Sequence, residues 1–242
     1  MKDFSLGIDF NKLINEYPNV KSLINQLGKY GELFLFGGAI REYNDTKFSE
    51  IPRDFDIVID KKDKNLNLDD ILKKFSYKKN RFNGYKLKID SLEFDIWELE
   101  NTWAFKENKV KCLQGEYSKK LQETVFLNID SLVYNLNTQE LYDDKYMDAM
   151  KKKELDVVLE ENPFKELNLI RALIFKRKYN MALSKQLKSI FKDYVRSNDN
   201  YINSLYEIQF KHYNEYKIDK NTIEKEINSI INWNVQSYSI SF

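Results

Sequence analysis

Two aspartates one residue apart stand in the run Arg53-Asp54-Phe55-Asp56-Ile57-Val58-Ile59, whose apolar alternation predicts a β-strand. Strand side chains alternate between faces, so both carboxylates project to one side while Phe55, Ile57 and Ile59 share the opposite, core-facing side. Paired carboxylates suit hard cations such as Mg2+ or Mn2+, which take oxygen ligands and keep water and phosphate oxygens in their shell. A D-x-D alone is common on solvated strands and turns, so its meaning depends on its company. Upstream, Leu33-Phe34-Leu35-Phe36 reads as a buried strand ended by Gly37-Gly38. Missing β-carbons there let backbone N–H groups approach a phosphate, and the helix that follows aims its N-terminus at the same anion. Together the two blocks describe a grip for a triphosphate and its metals.

A two-metal site uses further carboxylates to hold its ions. In Ser91-Leu92-Glu93-Phe94-Asp95-Ile96-Trp97-Glu98, the residues Leu92, Phe94 and Ile96 form one strand face and Glu93, Asp95 and Trp97 the other. Asp95 is the expected third ligand, with Glu93 on the same face as its substitute. Arg41, one helical turn past the glycines, is placed either to meet a triphosphate or to serve its own helix; Arg53 neutralises the neighbouring carboxylates. Trp97 shares the face of Asp95 and fits either base stacking or sheet closure, and Trp103 fits a structural role.

The elements that must position these groups follow from periodicity and punctuation. Residues 11–28 read as a helical region interrupted at Pro18, with Gly28 as its C-terminal stop. Strand, turn and helix occupy 32–44, the D-x-D strand 54–60, and a helix opened by Asp69 and Asp70 runs from Leu68 to Phe75. Two strands, Gly84 to Ile89 and Leu92 to Trp97, pair through Asp90-Ser91. Asn101 or Thr102 caps a short helix, a polar stretch runs to Lys120, and a hairpin turns at Asn137-Thr138 within 131–142. Pro163 suits the first turn of a long helix, and the chain to residue 235 reads as helices broken near Ser197–Asn200 and Lys217–Asn221. The expected class is α+β: a head, residues 1–160, with a small mixed sheet flanked by helices, then an all-helical region, 161–242.

The Gly37-Gly38-x-x-Arg41 block and the D-x-D strand resemble the catalytic head of the tRNA CCA-adding enzyme and bacterial poly(A) polymerase group, within the polymerase-β-like nucleotidyltransferase superfamily. Ser131 to Asp143 is similar to the segment after that family's active-site strands, and Leu169-Ile170-Arg171-Ala172-Leu173-Ile174-Phe175 to the start of its helical neck. The resemblance implies a metal-dependent nucleotidyltransferase moving a nucleoside monophosphate from a triphosphate to an acceptor hydroxyl, foremost an RNA 3′ end, with release of pyrophosphate. It implies Asp54, Asp56 and Asp95 as catalytic ligands of Mg2+ or Mn2+, and Gly37, Gly38, Arg41 and Arg171 as nucleotide-binding residues. The chain also departs from the pattern. Thr124-Val125-Phe126 stands where the family has an Arg-Arg-Asp triplet for ribose and triphosphate, and Asn168 stands where the base-pairing cluster around Arg171 has an arginine. The resemblance therefore carries no choice of C and then A. Two alternatives stay open: a catalytically degenerate RNA- or protein-binding module, and nucleotide transfer to a protein or small molecule, against which the absent Gly-Ser opening counts.

With 242 residues, 42% of them apolar and 14% aromatic, the chain can bury one or two small cores. Its charges cancel to +1, so net charge names no nucleic-acid partner. Their distribution is uneven: residues 163–198 hold nine Lys or Arg against two acids. That stretch fits either a guide for an RNA acceptor or triphosphate, or a solvated helix face. The aromatics interleaved with it recur at helical spacing and suit a core. The single cysteine, Cys112, excludes an internal disulfide and a thiolate zinc cluster, and fits a reducing cytoplasm. His212, the single histidine, reads as structural or exposed. No apolar run approaches ~20 residues and Met1 to Leu6 lacks a signal-peptide core, so neither membrane insertion nor secretion is expected. Nothing in the sequence sets an oligomeric state.

Overall fold

The computed structural model describes residues 4–113 and 115–236. Residues 1–3, on which the expected lack of a signal core partly rests, lie outside the described residues. The chain divides into two compact units, Met1–Val125 with Ile129–Tyr146 and Phe126–Asn128 with Met147–Phe242.

The first unit opens with α1 (Phe4–Asn15) and α2 (Pro18–Tyr30). Helical spacing of Leu6, Phe10, Leu13 and Ile14, then of Val20, Leu23, Ile24 and Leu27, gives each helix one buried face. The first helix starts well before the expected residue 11. Pro18 occupies the first turn of α2, where a missing N–H breaks no helical bond. Gly28 is not a stop: it sits inside α2, which runs on to Tyr30 and hands over to an extended Gly31.

Seven strands follow: β1 (Gly31–Phe36), β2 (Phe55–Lys61), β3 (Tyr77–Lys79), β4 (Tyr85–Ile89), β5 (Leu92–Glu98), β6 (Val133–Asn135) and β7 (Leu141–Tyr142). They form one sheet in the order β3-β4-β5-β2-β1-β6-β7. Every neighbouring pair is antiparallel except β2 and β5, which run parallel. Parallel neighbours need a crossover, made here by α4 (Leu68–Leu72) and the β3–β4 hairpin. Helix α3 (Gly38–Thr46) joins β1 to β2. The helix expected to reach Phe75 ends at Leu72, and its cap is Asn67, whose side chain accepts from the Asp69 N–H at 3.0 Å. Strand β3 was not foreseen, because Tyr-Lys-Lys is too short and polar to show an alternation. Two short helices, α5 (Trp103–Lys106) and α6 (Tyr117–Lys120), complete this stretch. Thr102 precedes α5, but its hydroxyl donates back to the Leu99 carbonyl instead of capping.

Both sheet faces contribute to the core: Phe34, Val58 and Val133 are buried on the face that carries Asp56, and the opposite face is apolar through the middle of β1, β2 and β5. Leu33, Leu35, Phe55, Ile57, Ile59, Phe94 and Ile96 are buried, with Phe55 stacked on Phe94 at 5.4 Å and Phe10 of α1 6.0 Å from Phe55. Burying each such side chain stabilises the fold by about 1.5–3 kcal/mol.

The boundary between units falls within α7 (Asp144–Lys152), a helix too polar to be foreseen. In the second unit α8 (Lys165–Lys178) packs on α10 (Tyr201–Tyr213), which meets α11 (Lys220–Gln236), which in turn meets α9 (Lys185–Ser197). A two-residue parallel pair, β8 (Glu154–Leu155) with β9 (Ala182–Leu183), precedes α9. Pro163 lies two residues ahead of α8, and Phe164, in the left-handed region at φ 65°, takes the N-cap. Ser184 caps α9 by accepting from the Leu187 N–H at 3.1 Å. Among the described residues no helix is long and apolar enough to cross a membrane.

Two glycines separate the effects of space and conformation. A β-carbon at Gly31 would stand 2.3 Å from the Asp60 carbonyl oxygen, whereas one at Gly28 would only touch Leu33 at 3.9 Å. Gly31→Ala should lower the urea unfolding free energy by about 1–3 kcal/mol, and Gly28→Ala, in a helix interior, should raise it by about 0.5–1 kcal/mol. Chemical denaturation of the two variants checks the opposite signs.

Candidate active site

The site begins where β1 ends. Phe36 pairs with Asp56 across the β1–β2 ladder, and the next residue, Gly37, turns the chain into α3 with φ 65° and ψ −119°. That conformation is open to glycine and strained for other residues. A β-carbon would meet nothing closer than the Asp130 carbonyl at 3.9 Å, so the demand at Gly37 is on the backbone alone. The Gly37 N–H donates to the Leu132 carbonyl at 2.8 Å, and no side chain caps α3. Gly38 is the first residue of that helix, so its N–H and the two that follow have no carbonyl within the helix to bond.

The carboxylates come together through strand register. In the parallel β2–β5 pair, Asp56 lies directly beside Asp95, and Val58 beside Trp97. Asp56 is recessed and mostly desolvated. Burial, then the charges of Asp54 and Asp95, push its pKa up from 3.8 to about 7, against the pull of the Trp97 side-chain hydrogen bond and of Arg53. The Asp95 carboxyl is also raised, first by burial, with the Lys86 hydrogen bond and charge opposing. Its Oδ2 accepts from Lys86 Nζ at 3.0 Å, whereas its buried Oδ1 has no hydrogen-bond partner. Asp54 accepts from Arg53 through Nη2 at 2.6 Å and Nε at 3.1 Å. Glu93 points the same way but stands apart, 43% exposed and 3.8 Å from Lys88.

Asp56 and Asp95 share one sheet face and Asp54 stands immediately ahead of β2; three carboxylates so gathered, one with an unsatisfied buried oxygen, fit a site completed by a cation. Among the described residues, however, no three His, Cys, Asp or Glu side chains converge tightly enough to cage an ion unaided. Asp54 and Asp95 are engaged by their own cations, and a Mg2+ site of this kind takes one or two carboxylates and leaves the rest of its shell to water and phosphate.

Solved structures share this architecture. The chain resembles a CCA-adding enzyme in complex with ATP, with TM-score 0.60 and 18% identity over 91% of this chain and 55% of that one. It resembles the Thermotoga maritima CCA-adding enzyme complexed with tRNA at TM-score 0.57 and 18% identity, over 91% and 54% of the two chains. A CCA-adding enzyme with CTP gives TM-score 0.58 and 19% identity over 91% and 54%. This is the nucleotidyltransferase fold. The chain spans just over half the length of these neighbours. No family model and no curated protein matches it.

The two expected arginines belong to different units. Arg41 belongs to the first unit but is buried, its guanidinium paired with Asp130 and 3.8 Å from Glu42. Asp130 is met through Nη1, while Nη2 lies 3.6 Å from where a Gly38 β-carbon would stand, at the glycine turn itself. Arg171 is on α8 of the second unit, its guanidinium 5.4 Å from the ring centre of Phe175. Two further residues stand at the carboxylates, Lys86 and Trp97. Lys86 carries no local sequence signal, because only the β4–β5 register sets it opposite Asp95. Trp97, left between two roles, bonds Asp56 and lies flat on Gly84, where a β-carbon would come within 2.5 Å of the indole.

The raised Asp56 pKa has a signed consequence for metal-free protein. Below the unfolded pKa of 3.8 both states hold the proton; between there and about 7 the folded state binds it more tightly, so stability falls as pH rises. Asp56→Asn should therefore gain stability over the wild type progressively from pH 4 to 7 in chelator, reaching on the order of 1–3 kcal/mol above pH 7 once solvent screening is allowed for. Thermal melts of both proteins across that range provide the measurement.

Proposed function

We propose that this protein is a metal-dependent nucleotidyltransferase that transfers a nucleoside monophosphate from a triphosphate to an acceptor hydroxyl, with RNA as the acceptor, and releases pyrophosphate. The observation that carries the reading is the β2–β5 register, which sets Asp56 beside Asp95 at the same sheet end where Gly37 opens α3. The fold shared with CCA-adding enzymes supports it.

In this reading Asp54, Asp56 and Asp95 hold Mg2+ or Mn2+, which when bound neutralises phosphate charge and acidifies the attacking hydroxyl. The free N–H groups at the start of α3 bind phosphate oxygens at a helix N-terminus. Trp97 donates to Asp56 and fixes its orientation, and packing on Gly84 holds the indole in place. Asp56 or Asp95 accepts the proton of the acceptor hydroxyl. No side chain forms a covalent intermediate; positioning and charge supply the rate.

RNA is favoured as acceptor by the distribution of charge on the second unit. Lys185, Lys188, Lys192 and Arg196 fall along the side of α9 opposite its buried Leu187, Ile190, Phe191 and Tyr194. The helix carries one acid, Asp193, at 3.5 Å from Arg196. A single-sign stripe of this length follows a phosphate backbone.

Incubation with each labelled nucleoside triphosphate, Mg2+ or Mn2+ and total RNA should label RNA with the wild type. The Asp54→Ala/Asp56→Ala variant should lose at least about a thousandfold of that rate, the scale of removing a preorganised charge-stabilising centre. Equal labelling by both proteins would refute the proposal. Label on protein or on a small molecule would keep the transfer chemistry and reject the RNA acceptor; tight triphosphate binding without turnover on any acceptor would indicate a binding module.

A further inference from the structure

Strand β4 alternates cleanly: Tyr85, Leu87 and Ile89 are buried, and Lys86 and Lys88 lie on the other, exposed face. Its antiparallel register with β5 puts Lys86 directly opposite Asp95 and Lys88 opposite Glu93. The two pairs differ. Lys88 and Glu93 are both open to solvent and 3.8 Å apart, an ordinary surface pair. Lys86, 52% exposed, reaches a carboxylate that is only 15% exposed, at 3.0 Å, and engages one of its two oxygens. The other oxygen, Oδ1, is buried and unbonded.

We propose that Lys86 is a positioning residue with two stations: in the empty site its ammonium holds Asp95 as a counter-ion, and when the site fills it is displaced and moves to the triphosphate. This rests on the nucleotidyltransferase reading above. A partly exposed ion pair of this kind contributes about 0.2–1 kcal/mol, too little to be a main support of the sheet and little enough for a divalent ion to displace. The lysine stem has four flexible carbons and a compact charge, so the freed ammonium stays on the rim of the same carboxylate face. Asp54 also acts on Lys86 electrostatically, so the ammonium serves the cluster and not Asp95 alone. Asp56, flanked by the two cation-paired aspartates, takes a neutral indole donor, which leaves the centre of the cluster short of positive charge until an ion arrives.

The two stations predict effects of opposite sign, which a purely structural pair would not give. With the full chain, Mn2+ alone is titrated and free ion read by electron paramagnetic resonance; binding of the α,β-methylene analogue of ATP with Mg2+ is read by equilibrium dialysis. Lys86→Gln should bind Mn2+ about two- to fivefold more tightly and the Mg2+–analogue complex about two- to fivefold more weakly, the range that corresponds to a single exposed charge pair. Lys86→Arg, which keeps the charge, should restore the analogue affinity toward wild type, and matching thermal melts confirm that all three proteins are folded. If the wild type binds both ligands and Lys86→Gln changes neither, or weakens both, the two-station role is overturned while the nucleotidyltransferase reading stands. If the wild type binds neither Mn2+ nor the analogue, both fall together.

Discussion

The parallel pairing of β2 with β5 is the constraint on which the rest of the first unit depends. It brings Asp56 level with Asp95 on one face and Phe55 level with Phe94 on the other. Side chains alternate with period two, so a slip of one residue would turn the aromatics outward and the carboxylates into the core. The apolar face therefore specifies the polar one. Phe55, Phe94, Ile57 and Ile96 are all buried, and their combined burial, at about 1.5–3 kcal/mol each, exceeds the repulsion of gathered carboxylates. That repulsion is further reduced locally: Arg53 meets Asp54, Lys86 meets Asp95, and the Trp97 side chain hydrogen-bonds Asp56. The crossover that makes parallel pairing possible also delivers β4, so one topological choice supplies both the third carboxylate and its counter-ion.

The glycine turn is held by a different part of the same unit. Residues 130–132 contribute the Leu132 carbonyl that accepts the Gly37 N–H and the Asp130 carboxylate that meets buried Arg41. Removing one partner of a buried ion pair costs about 3–5 kcal/mol, because the other is left without compensation. The Arg41–Asp130 pair thus ties α3 to the segment that holds the glycine turn. The pair sits beside the turn it steadies: a β-carbon on Gly38 would stand 3.6 Å from Arg41 Nη2.

Which features were legible in the sequence follows from how locally they are encoded. The D-x-D strand, the Gly-Gly turn and the face shared by Asp95 and Trp97 are written in a few consecutive residues, and strand alternation reads them out. Long-range register is not written that way. Nothing in Tyr85-Lys86-Leu87 indicates that Lys86 will face Asp95, nothing in Gly84 that it makes room for an indole, and nothing near Arg41 that its partner lies 89 residues on. Short or polar elements fail for a different reason. Strand β3 gains its conformation from β4, and Gly28 keeps its helix because α2 buries Leu23, Ile24 and Leu27 around it, outweighing about 1 kcal/mol of propensity.

The departures from the CCA-adding pattern bear on specificity. Phe126 is 4% exposed, and Thr124 ends a short 3-10 turn with its hydroxyl donating to the Leu121 carbonyl at 2.7 Å, so this stretch is committed to packing and turn formation. Asn168 is buried, and its amide donates to Pro163 and Asn162 at the entrance of α8. A side chain whose donors are engaged in its own helix start has none left to read a base edge. Discrimination between bases needs hydrogen-bonding groups that go unpaired when the wrong base enters, and at these positions the chain provides packing and capping instead. In the proposed function the carboxylate face and the glycine turn would address metals and phosphates, which all nucleoside triphosphates share. Under the proposed function, a site built this way would select the triphosphate more strongly than the base it carries.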